Sequence, residues 1–400
     1  MLEHEPATRG IRLVGHAAVR QALMDPRLDV VPAGGFSKRL EAGVRPGPQE
    51  FLSSWFSRQA PADHQATKRP LTAAYAQSRV AAFEGEIRRH AVQLAAELPD
   101  ECELVRDFLS PLSLRSMACT LGLAPGHLEL LEKVTTAIGK VLARPMFDAA
   151  ARRAIETSMI VLERFMDSLF ALESPPPSVR ALQQIASDQE RGGSWHAIST
   201  LAHVLCAGLH PTTAGAALAW IQHQSRPEVR QALRTGDLAM SDLVSETLRL
   251  CPPFPVAHRW AQQSFELHGQ WIERGTHVCL DLEAANRDPA VFEEPEQVRR
   301  RRGEGHNLAF GHGPHHCVGA GLARIQVQVA LETLQALEPP LVLAGPPAIG
   351  STGGLGRLVE VQALRCRRAA STPHAARSLG GMESGSAARS REVEVGADVS

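Results

Sequence analysis

Between Leu201 and Ile221 the chain reads LAHVLCAGLHPTTAGAALAWI, without a single Asp, Glu, Lys or Arg. A stretch this apolar and this long has two destinations, a bilayer or the middle of a large protein core. His203, His210, Pro211, Thr212 and Thr213 stand in its centre, where polar groups in hydrocarbon are costly. A helix through the core is therefore expected, and no membrane span. The 400 residues, 44% hydrophobic and 21% charged, supply enough chain to surround such a helix and exclude disorder of the whole.

The rest of the chain fits a helical body. HAAVRQALM (16–24) has apolar residues spaced by three and four. In 80–98, Ala82, Phe83, Ile87, Ala91 and Leu94 form one stripe. Further helices are expected at about 104–121, 126–143, 148–172, 197–223 and 227–250, with SPPPS (174–178) as a break and 35–62 as a long loop. After Pro252 the pattern changes. FELHGQWIERGTHVCLDL (265–282) alternates apolar and polar residues around Gly269 and Gly275 and reads as a β-hairpin or meander. Leu341–Leu343 and Leu358–Val361 suggest one more strand pair. The fold class is mainly α with a small β region, a single domain over 1–370. Residues 371–400, poor in large apolar side chains, are expected to be a disordered tail.

Lys+Arg 42 against Asp+Glu 43 gives a formal charge of −1, so no basic excess points to nucleic acid. Lysines are few (Lys38, Lys68, Lys133 and Lys140), which reads as arginine-rich codon usage. The seven cysteines show no CxxC spacing, and neither a disulfide framework nor a structural zinc site is suggested. MLEHEPATRGIRL has no apolar leader segment, and a cytoplasmic location is expected.

The strongest local signal is AFGHGPHHCVGAGLAR (309–324). Gly311, Gly313, Gly319 and Gly321 give an irregular backbone that admits a flat ligand closely. Cys317 sits just before an expected helix N-terminus, whose positive end favours a thiolate. Upstream, Glu246 and Arg249 in SETLRL lie one helical turn apart, on one face.

The string Phe310, Gly311, Gly313, His315, Cys317, Gly319, Leu322, Ala323, Arg324 resembles the haem-binding signature of the cytochrome P450 family, FGxGxHxCxGxxLAR. The resemblance implies the cytochrome P450 fold with haem b (iron protoporphyrin IX). It makes Cys317 the axial thiolate ligand of the iron, His315 a donor to a haem propionate, and Phe310 a shield for the thiolate side. Gly311, Gly319 and Ala323 complete the cofactor loop. Glu246 and Arg249 match the family's structural ion pair. CPPFPVAHR (251–259) resembles its proline-rich turn, with Arg259 reaching a propionate. ANRDP (285–289) matches a string of bacterial members. ADHQATKRPL (62–71) resembles the DxxxHxRxRR segment and offers His64 and Lys68 as further propionate partners, with Arg69 as the alternative to Lys68. The resemblance runs from about residue 11 to 366.

Three departures stand out. VGHAAVRQAL resembles the family's second major helix, so the usual first helix and leading strand are expected to be mostly missing. Where the family completes a Glu–Arg–Arg network, FEEPEQV has Gln297 and Val298. One of Arg299 to Arg302 takes that place, or the run is a solvated basic surface. The oxygen-activation groove, usually AGx(D/E)T(T), reads AGLHPTT. Without gaps, His210 takes the acid position and Pro211 the alcohol position, followed by Thr212 and Thr213; read back from the TTA, Pro211 takes the acid position and Thr212 is the alcohol. In both registers the acid is absent.

The resemblance implies a monooxygenase that tailors a small-molecule specialised metabolite, with electrons from a separate ferredoxin and ferredoxin reductase. A carrier-protein-bound substrate is compatible with it. The alternatives are oxidative C–C, C–N or phenol coupling, peroxide-driven or non-oxidative haem chemistry, and, more remotely, a non-catalytic haem-binding protein.

Overall fold

Strand Gly10–Leu13 pairs in parallel with His277–Asp281, so a strand near the start of the chain is tied to one far later in the sequence. The computed structural model describes residues 2–5, 10–142, 147–300, 304–352 and 358–369; the expected tail, 371–400, lies outside them. Met1–Ala369 is one unit.

The helices are α1 (His16–Met24), α2 (Pro48–Ser53), α3 (Pro61–Ala74), α4 (Gln77–Val80), α5 (Glu84–Ala96), α6 (Ser110–Leu121) and α7 (Leu128–Leu142). They continue with α8 (Ala149–Phe170), α9 (Pro177–Ser187), α10 (Gly193–Ser225), α11 (Pro227–Thr235), α12 (Met240–Leu250), α13 (Leu282–Ala285) and α14 (Ala320–Gln335). The strands are β1 (Leu2–Glu5), β2 (Gly10–Leu13), β3 (Leu28–Asp29), β4 (Glu101–Glu103), β5 (Val256–Ala261) and β6 (Phe265–Leu267). The others are β7 (Gln270–Ile272), β8 (His277–Asp281), β9 (Leu341–Leu343), β10 (Ala348–Ser351), β11 (Val359–Ala363) and β12 (Arg365–Arg368).

The apolar stretch is the interior of α10, and its mostly buried side chains mark a core helix. Helices α6, α8, α9, α12 and α14 surround it, because each presents one apolar stripe and α10 is apolar on nearly every side. A second, smaller core lies between α1 and the five-stranded sheet, ordered β1-β2-β8-β5-β3.

Four expectations are corrected. A leading strand is present, since β1 and β2 form an antiparallel pair ahead of α1. The loop at 35–62 contains α2, started by Pro48 at its first position, and a short turn at Phe56–Arg58. The helix expected at 227–250 is two helices, because Gly236 takes φ +79° and ends α11. At the C-terminal end Leu341–Leu343 pairs with β12, and β11 pairs instead with β10; period-two alternation locates a strand and does not choose its partner.

Candidate functional site

Cys317 lies in the loop that leads into α14. Two reverse turns shape this loop. Gly311 at φ +69° donates its N–H to Leu308 O at 2.8 Å, and Gly313 sits at φ +72°. A Cβ on Gly313 would collide with Met24 Sδ and stand 3.1 Å from Leu23 O, so α1 itself requires glycine there. Leu308 N–H donates to Asn286 Oδ1 at 2.8 Å and Asn307 Nδ2 to Ser245 O at 3.0 Å, which fixes the loop against α12 and the segment after α13. The Cys317 N–H donates to Phe310 O at 3.0 Å and closes the loop on itself. Arg324, one turn into α14, lies over the Phe310 ring at 4.7 Å. Ala323 N–H donates to Gly319 O at 2.9 Å, so the first turn of α14 begins directly behind the cysteine.

The Cys317 thiol is accessible from an opening yet deep within the protein. Burial pushes its pKa up, while the Gly319 N–H and the charges of Lys68 and Arg324 act in the opposite direction. A thiolate here therefore calls for a cation against it.

Four positively chargeable groups gather around the loop. Asp63 in the first turn of α3 binds Arg39 at 2.8 and 2.9 Å and Arg191 at 3.1 Å, holding the helix in place. His64, 3% exposed, contacts Phe56 O through Nδ1 at 3.0 Å and Pro314 O through Nε2 at 3.2 Å. Lys68, one turn on, donates to the same Pro314 carbonyl. The His64 and His315 rings stand 4.3 Å apart, and His315 Nε2 is 3.7 Å from Asp29 Oδ1. Arg259, on β5, is 5% exposed; its guanidinium donates to His258 O at 2.9 Å, and burial pushes its pKa down to about 10, with Asp29 opposing.

This donor set tests the expected cofactor. A buried guanidinium whose only hydrogen bond is to a neighbouring carbonyl is costly unless an anion joins it. With His64, Lys68 and His315 beside it, Arg259 suits the two carboxylates of a haem. Among the described residues no group of three His, Cys, Asp or Glu side chains could hold a metal. One thiolate below a macrocycle is the arrangement that the residues fit.

Glu246 and Arg249 form a bidentate pair at 2.8 and 3.0 Å, 4% and 1% exposed. The Arg249 guanidinium also donates to Asn286 O, Pro295 O and Gln297 O at 2.7–3.1 Å. Arg299 reaches Glu246 Oε2 through its main-chain N–H at 3.1 Å, and its side chain turns out to Glu293 and Glu294. Arg301 and Arg302 lie outside the described residues.

On α10 the residues least buried in the middle of the helix are His203, Val204, Ala207, Gly208, His210 and Pro211. His203, Ala207, His210 and Pro211, spaced by three, four and seven, form one open stripe. Pro211 supplies no N–H for the Ala207 carbonyl. Thr212 and Thr213 are 7% and 9% exposed, and the Thr213 hydroxyl donates to Ser113 Oγ at 3.1 Å, so both point into packing. His210 stands beside α7: a Cβ on Gly139 would lie 3.0 Å from its Nε2. It borders a cavity of about 160 Å³ with Val105, Ser110, Thr213 and Ala214. The structure thus gathers Cys317, His315, His64, Lys68 and Arg259, and of the His210–Thr213 run it puts His210 and Pro211 on the stripe and buries Thr212 and Thr213. Sequence reasoning missed His203 and its neighbour Trp55; the 203/207/211 spacing was the available signal.

A family model described as Cytochrome P450 matches residues 238–337, which hold the ion pair, Arg259 and the cysteine loop. The chain is 29% identical over 340 residues to 20-oxo-5-O-mycaminosyltylactone 23-monooxygenase of Streptomyces fradiae, covering 82% of this chain and 77% of the relative. It is 28% identical over 344 residues to Vitamin D3 dihydroxylase of Streptomyces griseolus, covering 83% and 81%. Among solved structures, CalO2 superposes with a TM-score of 0.80 at 22% identity over 92% of both chains. The ligand-free P450 monooxygenase TamI does so with a TM-score of 0.74 at 26% identity, over 90% of this chain and 84% of TamI. With the cysteine loop, the cationic cradle and the buried ion pair already in place, these likenesses establish that the chain belongs to the cytochrome P450 family and takes haem as its prosthetic group.

Proposed function

We propose that this protein is a cytoplasmic monooxygenase that oxidises a small-molecule specialised metabolite, drawing electrons from a ferredoxin and its reductase. The observation that carries the reading is the exposed thiol of Cys317 on a loop where His64, Lys68, His315 and Arg259 gather. In this reading Cys317 is the axial ligand. Arg259, His64, Lys68 and His315 hold the propionates, and Phe310, with Arg324 on its face, shields the thiolate from water. Haem held through a thiolate supplies oxidising power, because the sulfur pushes electron density to iron and favours O–O cleavage. Gly311, Gly319 and Ala323 keep side chains out of the way of a flat ring, and the Glu246–Arg249 pair fixes the strand and loop around it. His210 is the one exposed side chain of the His210–Thr213 run, and imidazole is a common proton shuttle.

A second reading has a specific observation in its favour. Pro211 occupies the open stripe, Thr212 and Thr213 are buried, and the Thr213 hydroxyl is engaged with Ser113 Oγ. That arrangement favours peroxide-driven oxidation or oxidative coupling, which depend less on proton delivery. The names of the relatives, a 20-oxo-5-O-mycaminosyltylactone 23-monooxygenase and a vitamin D3 dihydroxylase, support a bulky small-molecule substrate.

The test is a reconstitution. Specialised metabolites that shift the spectrum of the haem-loaded protein are incubated with ferredoxin, ferredoxin reductase and NADPH, and in parallel with hydrogen peroxide. Product in the first set supports the monooxygenase, and product only in the second supports the alternative. Binding without product in either set would reduce the protein to a haem-binding one.

A further inference from the structure

Three buried side chains close a ring of hydrogen bonds between α10 and α3: His196, Gln59 and Thr67. Gln59 donates from Nε2 to Ser54 O at 3.2 Å, which fixes the orientation of its amide, because a carbonyl only accepts. The same Nε2 lies 3.2 Å from His196 Nδ1, so that imidazole nitrogen accepts and carries no proton. The His196 proton is then on Nε2, which donates to Thr67 Oγ1 at 2.8 Å, and the Thr67 hydroxyl donates to Gln59 Oε1 at 3.3 Å. Every donor in the ring has an acceptor, and the Ser54 carbonyl sets the direction of all the bonds. Burial keeps the imidazole neutral, with its pKa pushed down to about 4 against the pull of Asp188 and Asp63.

One turn further along α10, Ser199 makes a second attachment. Its Oγ donates to Phe51 O at 3.2 Å and lies 2.8 Å from Ser54 Oγ, so the end of α2 is held beside the ring. The two attachments fix the chain from α2 to α3 on α10. His64, Thr67 and Lys68 are spaced by three and four and stand on one side of α3. His64 and Lys68 both meet Pro314 O in the cysteine loop. Thr67, on the same side of the helix, is the residue that His196 holds. A rotation of α3 about its axis would move all three together, and the His196–Thr67 bond opposes it. Packing alone would be served by apolar side chains, since three buried polar groups are costly unless their bonds specify a geometry.

We infer that His196 is a positioning residue for the haem site: through Thr67 it sets the rotation of α3 and so places His64 and Lys68 for the propionates. The inference rests on the haem-thiolate reading of the site and adds to it a residue of α10 that acts only through α3.

The experiment measures haem loss from the ferric full chain to excess apomyoglobin, and the reduction potential of the same samples. The proteins are the parent, His196→Phe, His196→Gln, Thr67→Val, the double variant His196→Phe with Thr67→Val, and Ser178→Ala. One buried hydrogen bond corresponds to about tenfold in an equilibrium, so His196→Phe and Thr67→Val should each lose haem about tenfold faster than the parent. Their potential should fall, because cations drawn back from the propionates no longer disfavour the more positive ferric state. His196→Gln, whose amide can accept from Gln59 and donate to Thr67, should stay near the parent. The double variant should lose haem no faster than either single one, since the same ring is broken once. Ser178 on α9 is buried and donates to Thr120 O on α6; Ser178→Ala should lower the melting temperature and leave haem loss and potential unchanged. Thr67→Val decides the matter if His196→Phe does not fold. Parent-like haem loss and potential in His196→Phe and Thr67→Val, with only the melting temperature lowered, overturn the inference. So does a His196→Gln protein as defective as His196→Phe, or effects that add in the double variant. The ferrous–CO spectrum separates the two levels: a parent without a thiolate signature takes the reading of Cys317 and the inference with it, whereas an intact signature with unchanged haem loss in the variants removes only the role of His196.

Discussion

Removing the guanidinium of Arg249 is expected to be among the most damaging single changes in this protein. Arg249 is 1% exposed and donates five hydrogen bonds: two to Glu246 and one each to the carbonyls of Asn286, Pro295 and Gln297. Arg249→Leu removes the bidentate guanidinium from the 4% exposed Glu246 carboxylate and takes the same donor from three carbonyls in a segment that leads to the cysteine loop. Breaking a buried pair from one side costs about 3–5 kcal/mol, a large fraction of the roughly 5–15 kcal/mol by which a folded protein is stable. Arg299→Ala is the control. Its side chain pairs with Glu293 and Glu294 at the surface, where such pairs contribute about 0–1 kcal/mol, and the main-chain N–H that reaches Glu246 is retained. The assay is urea unfolding of the haem-loaded proteins, with haem content measured on the same samples. The expected result is low haem content and several kcal/mol lost for Arg249→Leu, and near-parent values for Arg299→Ala. Equal losses would refute the reasoning, because the Arg299 side chain would then belong to the network.

Gly313→Ala should reduce haem incorporation sharply and cost about 1–3 kcal/mol, since φ +72° is strained for alanine and its Cβ meets Met24 and Leu23 O; Gly305→Ala, with nothing within 4 Å, should be benign in the same incorporation assay. Asp63 is held below the usual carboxylate pKa by Arg39 and Arg191, so it contributes stability above its unfolded value of roughly 3.9 and loses it as pH falls through the lowered folded value. Asp63→Asn should therefore lower the melting temperature at neutral pH, with the gap to the parent closing in acid; a gap that does not narrow below about pH 4 counts against the pairing. His210→Ala should slow NADPH-driven product formation and raise uncoupled peroxide if His210 carries protons, while peroxide-supported turnover is largely spared; unchanged coupling would make the histidine a packing group beside Gly139.

The sequence revealed most where the physics is local. An uncharged stretch interrupted only by small polar groups could only be a core helix, and α10 is that helix. The Glu246–Arg249 spacing placed both side chains on one helix face, and the pair is formed. The glycines around Cys317 marked a strained loop before a helix, and Gly311 and Gly313 do take positive φ. What was hidden depends on tertiary neighbours. No pattern shows that Leu341–Leu343 will choose Arg365–Arg368 over Val359–Ala363, because partner choice is set by the surrounding packing. Lys68 reads as a propionate partner, and that it also donates to Pro314 O follows only from the fold. In AGLHPTT the sequence directs attention to the histidine in the acid position, and the open stripe that carries it passes also through His203, Ala207 and Pro211. Trp55 sits in what reads as loop, and only the fold stacks it on His203.

The most direct test of the account is the spectrum of the reduced protein with carbon monoxide, recorded for the parent chain and for Cys317→Ser. The account predicts a strongly red-shifted Soret band for the parent, the mark of a thiolate on the iron, and its loss in Cys317→Ser. A parent without that band, or a Cys317→Ser protein that keeps it, would contradict the assignment of Cys317.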